Sequence, residues 1–157
     1  MRDILFRGQT RRKGEYIVNM AGDKCESHWV YGGIFPQNKD GDFAIIYQQE
    51  PEIRKFTVYA DTVGQYTGLT DKNGVRIFEG DIVKGIAYSA ERIGVIVWID
   101  EIASFGVRYF KSQNPTAWEN SSILRCASMG KTDEFAAEII GNIHDNPDIL
   151  KGGGDNG

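Results

Sequence analysis

The sequence predicts a mainly β fold, and three features support this prediction. Short runs of alternating apolar and polar residues recur along the chain, which is the period of a strand with one buried face. Glycine occurs 19 times and proline only 4 times, and glycines spread between such runs are typical of tight turns. Hydrophobic residues make up 41% of the 157 residues, which is enough to bury a core without metals or disulfides.

The predicted strands follow one another at short intervals. In the N-terminal part they cover residues 4–6, 16–18, 29–31, 43–47 and 56–58. The pair Asn73-Gly74 indicates a type I′ hairpin turn. Residues 93–99 (IGVIVWI) are apolar on both faces, so we expect them, with Trp98, to form the central and most buried strand.

We place an internal boundary near Ala60 and Asp61. Residues 1–60 are then an N-terminal β subdomain and residues 61–150 a C-terminal one, followed by a tail at 151–157. The later strands are joined by short turns, which fits an antiparallel meander curling into a small SH3-like barrel. We expect the N-terminal subdomain to pack on this barrel.

The region 131–144 has two interpretations. Phe135, Ile139 and Ile143 recur at helical spacing. However, β-branched residues with Gly and Asn between them make a poor helix interior. We favour a strand over 138–144 and keep the helix as the alternative. Pro147 then opens a short C-terminal helix with Asn146 as its cap.

The net charge of −4 and the pI near 5.2 have the wrong sign for non-specific binding to nucleic acids. Residues 1–13 are an exception, since they are locally basic. They form either a solvated strand and turn or a contact for a phosphate or an acidic partner, made by Arg2, Arg7, Arg11 and Arg12. No apolar stretch approaches the roughly 18 residues of a membrane span. We see no secretory signal, so we expect no membrane partner and a cytoplasmic location.

Residues 62–83 read TVGQYTGLTDKNGVRIFEGDIV and resemble the signature of the YopX family of phage and prophage proteins. Similar segments are Arg7-Gly8, residues 29–32 (WVYG) and residues 138–147 (EIIGNIHDNP). The resemblance implies a mainly β fold with a barrel-like C-terminal part, and expression in a bacterial host. It supplies no catalytic residue, substrate or cofactor.

Within the YopX-like string, Gln65, Tyr66 and Thr67 lie between two glycines. We predict that they form a structural brace that joins the N-terminal strands to the C-terminal barrel. The alternative is a recognition loop that displays Tyr66 to a partner. Asp81 follows Gly80 and is expected to stabilise a turn by accepting backbone hydrogen bonds.

Metal and catalytic signals are weak. His28 lies three residues from Cys25, but Cys126 and His144 stand in distant segments. Carboxylates at strand ends could hold Mg²⁺, although they also commonly fill turns; they are Glu79, Asp81, Asp100 and Glu101. We therefore predict no catalytic residue, no metal and no cofactor.

The favoured function is a non-enzymatic protein that binds a host or phage protein, with a homo-oligomer as one form of this. A specific nucleic-acid-binding barrel is the alternative, and a carboxylate-based, metal-dependent enzyme is the third.

Overall fold

The computed structural model describes residues 3–12, 14–18, 20–26, 28–35, 41–48, 52–87, 90–111, 114–122 and 137–151. Within these ranges the chain is mainly β, as predicted. The strands are β1 (Phe6–Gln9), β2 (Tyr16–Val18), β3 (Lys24–Glu26), β4 (Trp29–Phe35), β5 (Phe43–Gln48), β6 (Arg54–Tyr59), β7 (Gly64–Thr70), β8 (Arg76–Phe78), β9 (Asp81–Ala87), β10 (Ala90–Ile99), β11 (Ser104–Lys111), β12 (Asn114–Ser122) and β13 (Glu138–Asn142). Short 3₁₀ turns cover Ala60–Thr62, Asp100–Ile102 and Pro147–Leu150.

The chain forms two compact units, Met1–Tyr66 and Thr67–Gly157. In the first unit, β6, β5, β4, β1 and the start of β7 lie side by side in an antiparallel sheet. Strand β1 is bonded on both sides, because Arg7 lies opposite Tyr31 of β4 and Gly64 of β7. Strands β2 and β3 pair separately as a small hairpin.

The core of the first unit lies on one face of this sheet. Its buried members are Val30, Ala44, Ile46 and Val58, which alternate with outward-facing neighbours along β4, β5 and β6. Gly32 belongs to the same face, and a Cβ at that position would overlap the Tyr47 carbonyl. The close approach of β4 and β5 therefore needs glycine there.

The second unit contains a five-stranded antiparallel sheet in the order β12-β11-β10-β9-β13. Strand β10 is in the middle, so the prediction of a central strand at 93–99 is confirmed. Ile96 is fully buried and packs with residues of the neighbouring strands and of the segment before β13; these are Ile77, Val83, Phe105, Val107, Tyr109 and Ala137.

Trp98 lies in this central strand, as predicted, although 43% of the residue is exposed. The pairing of β10 with β9 ends at Val95, and just beyond it the Gly80 amide donates to the Ile96 carbonyl. Trp98 lies opposite Phe105, and the two rings meet edge to face with centroids 5.1 Å apart.

The SH3-like barrel is not confirmed, because neither sheet closes on itself within the described residues. The turn at residues 71–74 also differs from the prediction. Among the described non-glycine residues only Ala103 has a positive φ, whereas a type I′ turn needs two consecutive residues with positive φ. Instead the Gly74 amide donates to the Asp71 carbonyl, and Gly74 itself takes φ +78°. This is a three-residue connection ending in a glycine bulge.

The strand interpretation is confirmed for residues 138–142 by β13, whereas residues 143 and 144 lie in the turn that follows; residues 131–136 lie outside the described residues. The short C-terminal helix is a single 3₁₀ turn, because glycines follow Lys151 and do not favour helix extension. Asn146 takes the cap position but makes no side-chain cap bond. Its Oδ1 accepts a hydrogen bond from the Asn142 amide instead. In the part of the chain that the structure describes, no helix has the length and apolar character that a membrane crossing requires.

Candidate functional site

The sheet of the first unit carries aromatic side chains on the face opposite its core. Cross-strand neighbours share a face, and the register places Phe43 opposite Tyr59 and Gly33 opposite Tyr47. We call this surface the aromatic face; its rings are Trp29, Tyr31, Phe35, Phe43, Tyr47 and Tyr59. Phe35 is 60% exposed, Phe43 46% and Tyr31 44%.

The rings of the aromatic face pair with one another across the strands. The centroids of Phe43 and Tyr59 lie 5.1 Å apart with their planes 33° from parallel. Phe35 meets Tyr47 edge to face at 6.3 Å. These separations are in the favourable range for aromatic pairs, so neighbouring strands hold the exposed rings in place.

Three cationic groups lie over rings of this face. The Arg7 guanidinium carbon is 4.6 Å from the Trp29 ring centroid, and that of Arg12 is 4.5 Å from the Tyr59 centroid. Lys55 Nζ lies 5.7 Å from the Tyr47 centroid. All three distances satisfy the geometry of a cation–π contact.

A pocket of about 560 Å³ opens at the end of the aromatic face, and we call it the Tyr59 pocket. Its walls are Arg12, Gly41, Asp42, Phe43, Tyr59, Ala60 and Asp61. The local backbone positions these side chains. The Ala60 amide donates to the Asp42 carbonyl, and the Thr62 hydroxyl donates to the Tyr59 carbonyl while accepting from the Gln9 amide.

The charges around the Tyr59 pocket are mostly negative. Arg12 Nη2 lies 3.0 Å from Asp61 Oδ2. The Arg12 amide and the Tyr59 hydroxyl both donate to Glu15 Oε2, at 2.9 and 3.2 Å. Asp42 lines the pocket together with Arg12 and Asp61, so carboxylates outnumber the guanidinium there.

The pKa of Tyr59 is raised above its ordinary value of 10.0. Removal of the phenol from water is the first cause, followed by the hydrogen bond to Glu15 and the charge of that carboxylate; Arg12 opposes the change. The phenol therefore stays protonated near neutral pH and remains a donor to Glu15.

The four arginines of the basic segment have different surroundings. Arg7 is buried in β1 against Trp29, and Arg11 is half-buried. Arg12 lines the Tyr59 pocket. Arg2 lies outside the described residues. The structure thus brings Arg7 and Arg12 to aromatic rings, with Arg12 also held by a carboxylate.

The residues predicted to form the brace belong to β7 and are half-buried. Gln65 lies opposite Phe6, and the Tyr66 amide donates to the Leu5 carbonyl at 2.8 Å. The Thr67 hydroxyl donates to the Ile77 carbonyl at 3.0 Å and accepts from the Leu69 amide. Asp81 is buried, and its Oδ2 accepts from the Phe78 amide at 2.7 Å around the turn at Gly80.

Sequence reasoning missed Asp71, the carboxylate that stabilises the turn after β7. It is 1% exposed. Its Oδ1 accepts from the amides of Asn73 and Val75, and its Oδ2 accepts from the amide of Ile139, 68 residues away. An Asp two residues before Asn-Gly is a local signal for an Asx turn, but the bond to β13 has no sequence signal.

Burial alone would raise the pKa of Asp71, but the hydrogen bonds from these three backbone amides outweigh it and hold the pKa below its ordinary value of 3.8. Asp71 is therefore a structural carboxylate. Among the described residues, no three His, Cys, Asp or Glu side chains lie close enough to share a metal ion.

Comparisons with known proteins place these observations in a family. The chain is similar to the crystal structure of protein EF1440 from Enterococcus faecalis, with 23% sequence identity over 94% of this chain and 98% of that one, and a TM-score of 0.42. No curated protein matches the sequence. The family model described as YopX protein matches residues 21–151. Because that match covers most of the chain, the resemblance noted in residues 62–83 is confirmed, and this chain belongs to the YopX family.

Proposed function

We propose that this chain is a phage-type accessory protein, not an enzyme, that binds a host or phage protein through the aromatic face in the cytoplasm of a bacterial host. The observation that carries the proposal is the exposure of three rings, Tyr31, Phe35 and Phe43, on adjacent strands. Contiguous exposed apolar surface commonly marks a protein interaction site, and aromatic residues are the usual anchors of such interfaces. Membership in the YopX family fits the phage-type assignment.

The position of Phe35 makes it a suitable probe of this proposal. We expect a photoreactive benzoylphenylalanine at position 35 to cross-link to a protein in infected host cells, because the ring is 60% exposed on the proposed interface. The same group at Ile102, which is 52% exposed in the other unit, is the matched control. Denaturing gel electrophoresis and mass spectrometry measure the adducts.

Equal adducts at both positions, or none at Phe35, would contradict the proposal. An adduct with a second copy of this chain would identify a homo-oligomer. In the protein that carries benzoylphenylalanine at position 35, the further substitution Phe43→Ser should lower the yield of the adduct. It removes a neighbouring aromatic ring of the proposed interface, and Phe43 is 46% exposed.

A second candidate, binding of single-stranded nucleic acid, is favoured by the cationic groups over Trp29, Tyr47 and Tyr59. Aromatic platforms with interleaved basic residues stack successive bases. Against it stand the net charge of −4 and the ion pair between Arg12 and Asp61. Fluorescence anisotropy with a labelled single-stranded oligonucleotide tests this candidate. Binding with a Kd of about 1 µM or lower that weakens steeply with salt would favour it.

We also retain the SH3-like barrel as a proposal for the C-terminal sheet. Support comes from the strand order, in which the last strand, β13, returns to lie beside β9, the first strand of the meander β9-β10-β11-β12. A small barrel closes when the two outer strands of its sheet pair with each other. In this sheet the outer strands are β12 and β13. Backbone contacts between β12 and β13, measured by nuclear Overhauser effects, would establish it.

The brace at Gln65, Tyr66 and Thr67 likewise remains a proposal. It is supported by the bonds that adjacent residues make to different segments: the Tyr66 amide donates to the Leu5 carbonyl just before β1, and the Thr67 hydroxyl donates to the Ile77 carbonyl of β8. We expect Tyr66→Ala to lower the free energy of unfolding by at least about 2 kcal/mol, because a half-buried ring loses its apolar contacts. Unfolding in urea measures this loss. An unchanged midpoint together with lost partner binding would identify a recognition segment instead.

A further inference from the structure

The Tyr59 pocket has two aromatic walls and a surplus of carboxylates. We propose that it binds the guanidinium group of an arginine side chain supplied by the protein partner. This inference rests on the proposed protein-binding function and names the chemistry of the partner at one end of the aromatic face. At about 560 Å³, the pocket falls within the usual size range of ligand sites, roughly 300–1,000 Å³.

The walls of the pocket suit a planar cation. The Tyr59 and Phe43 rings pack on each other at 5.1 Å and 33°, and Arg12 marks the part of the Tyr59 ring on which a guanidinium can stack. Asp42 and Asp61 line the same space, and Glu15 accepts the Tyr59 hydroxyl from beside it. A planar group with several N–H donors matches carboxylates beside rings better than the compact ammonium of lysine.

Arg12 already makes the contacts that we assign to the partner's arginine. Its guanidinium carbon lies 4.5 Å from the Tyr59 centroid, and its Nη2 lies 3.0 Å from Asp61. Both side chains of this ion pair are about half exposed, and exposed pairs contribute little to stability. Arg12 therefore acts as a resident cation that the arginine of the partner displaces.

The competing interpretation is that Arg12 recruits a phosphate or another anion. Asp61 is paired with its guanidinium and Asp42 lines the same pocket, which disfavours a second anion there. The two interpretations predict opposite effects for the same two variants. Removal of Arg12 should strengthen the binding of a cation and weaken that of an anion. Neutralisation of Asp61 should do the reverse.

The direct test is a titration of the isotopically labelled protein with Nα-acetyl-arginine amide, observed by amide chemical shifts at Ala60 and Asp61. We expect saturable shifts in the millimolar range. Nα-acetyl-citrulline amide, which has nearly the same shape without the charge, should cause no saturable shift. Inorganic phosphate at equal ionic strength is the anionic probe and should also leave these amides unchanged.

The variants make the test quantitative. Arg12→Ala should tighten the binding of arginine amide about threefold or more, and Asp61→Asn should weaken it about tenfold. Both substitutions are on exposed side chains, so an unchanged unfolding midpoint is the control for folding. Saturable shifts with phosphate that vanish in Arg12→Ala, or no shifts with arginine amide in the parent protein, would overturn the inference.

The arginine titration and the Phe35 cross-link can succeed or fail independently of each other. A Phe35 cross-link that persists while arginine amide fails to bind would leave the aromatic face as an interface and remove only the arginine pocket. Arginine binding without any protein cross-link at Phe35 would do the opposite. A partner peptide whose binding is unaffected by Asp61→Asn would also contradict the pocket assignment.

Discussion

Replacing Ile96 by alanine is expected to lower the free energy of unfolding by about 3–5 kcal/mol, the upper part of the range for such truncations in a packed core. Ile96 is fully buried in the central strand β10 and contacts the main cluster of the second unit. Buried residues of β8, β9 and β11 pack around this side chain, so the cavity cannot easily collapse. Urea unfolding followed by circular dichroism measures the loss.

Ile102→Ala is the matched control for this substitution. Ile102 is 52% exposed in the same unit, so the identical chemical change should alter stability by less than about 0.5 kcal/mol. A loss of under about 1 kcal/mol for Ile96→Ala would show that β10 is not the centre of this core.

Replacing Asp71 by alanine should be similarly costly, at about 3–5 kcal/mol. The carboxylate accepts bonds from three backbone amides, those of Asn73, Val75 and Ile139, and alanine would leave buried donors without acceptors. Asp71→Asn keeps one side-chain oxygen as an acceptor and replaces the other by an NH₂ group. Depending on its orientation, that NH₂ group faces either the Ile139 amide or the amides of the turn, which are donors themselves. The free energy of unfolding should therefore fall less in Asp71→Asn than in Asp71→Ala.

The pH dependence provides a second measurement on Asp71. Its pKa in the folded protein is held below the ordinary value of 3.8. A depressed pKa contributes stability that is present above the unfolded pKa and is lost as the pH falls through the folded pKa. The stability difference between the parent and Asp71→Asn should therefore be full at neutral pH and shrink below about pH 3.8. A difference that stays constant into the acid range would contradict the assignment.

The strands were predictable because their signal is local. The alternation in Phe43, Ile45 and Tyr47 identifies a strand from five consecutive residues. It does not say which face is buried, since Ala44 and Ile46 on the other face are apolar too. The structure buries Ala44 and Ile46, so the aromatic residues point outwards. The pairing of β5 with distant strands determines which of its faces is buried, and the local sequence does not indicate that pairing.

The candidate site was predictable only in part for the same reason. Arg12 was visible as a basic residue in a basic segment. Its partners Tyr59 and Asp61 are more than forty residues away and meet it only after β6 has paired with β5. The expectation of a phosphate contact considered the charge of the segment alone. The carboxylates of Asp42 and Asp61, which line the pocket with Arg12, come from elsewhere in the chain and change the ligand that the pocket suits.

The pairing of β13, the last described strand, determines when the second unit can complete its fold during synthesis. The edge strand pairs with β9, and Ile139 provides the third donor to Asp71. During synthesis the turn at residues 71–74 leaves the ribosome long before Ile139 does. Until Ile139 emerges, Asp71 Oδ2 lacks this backbone donor and is hydrated instead. Contacts of such long sequence separation form late and slow folding. We therefore expect nascent chains stalled before residue 137 to show the second unit incompletely protected from proteolysis, with protection gained once Asn142 has emerged.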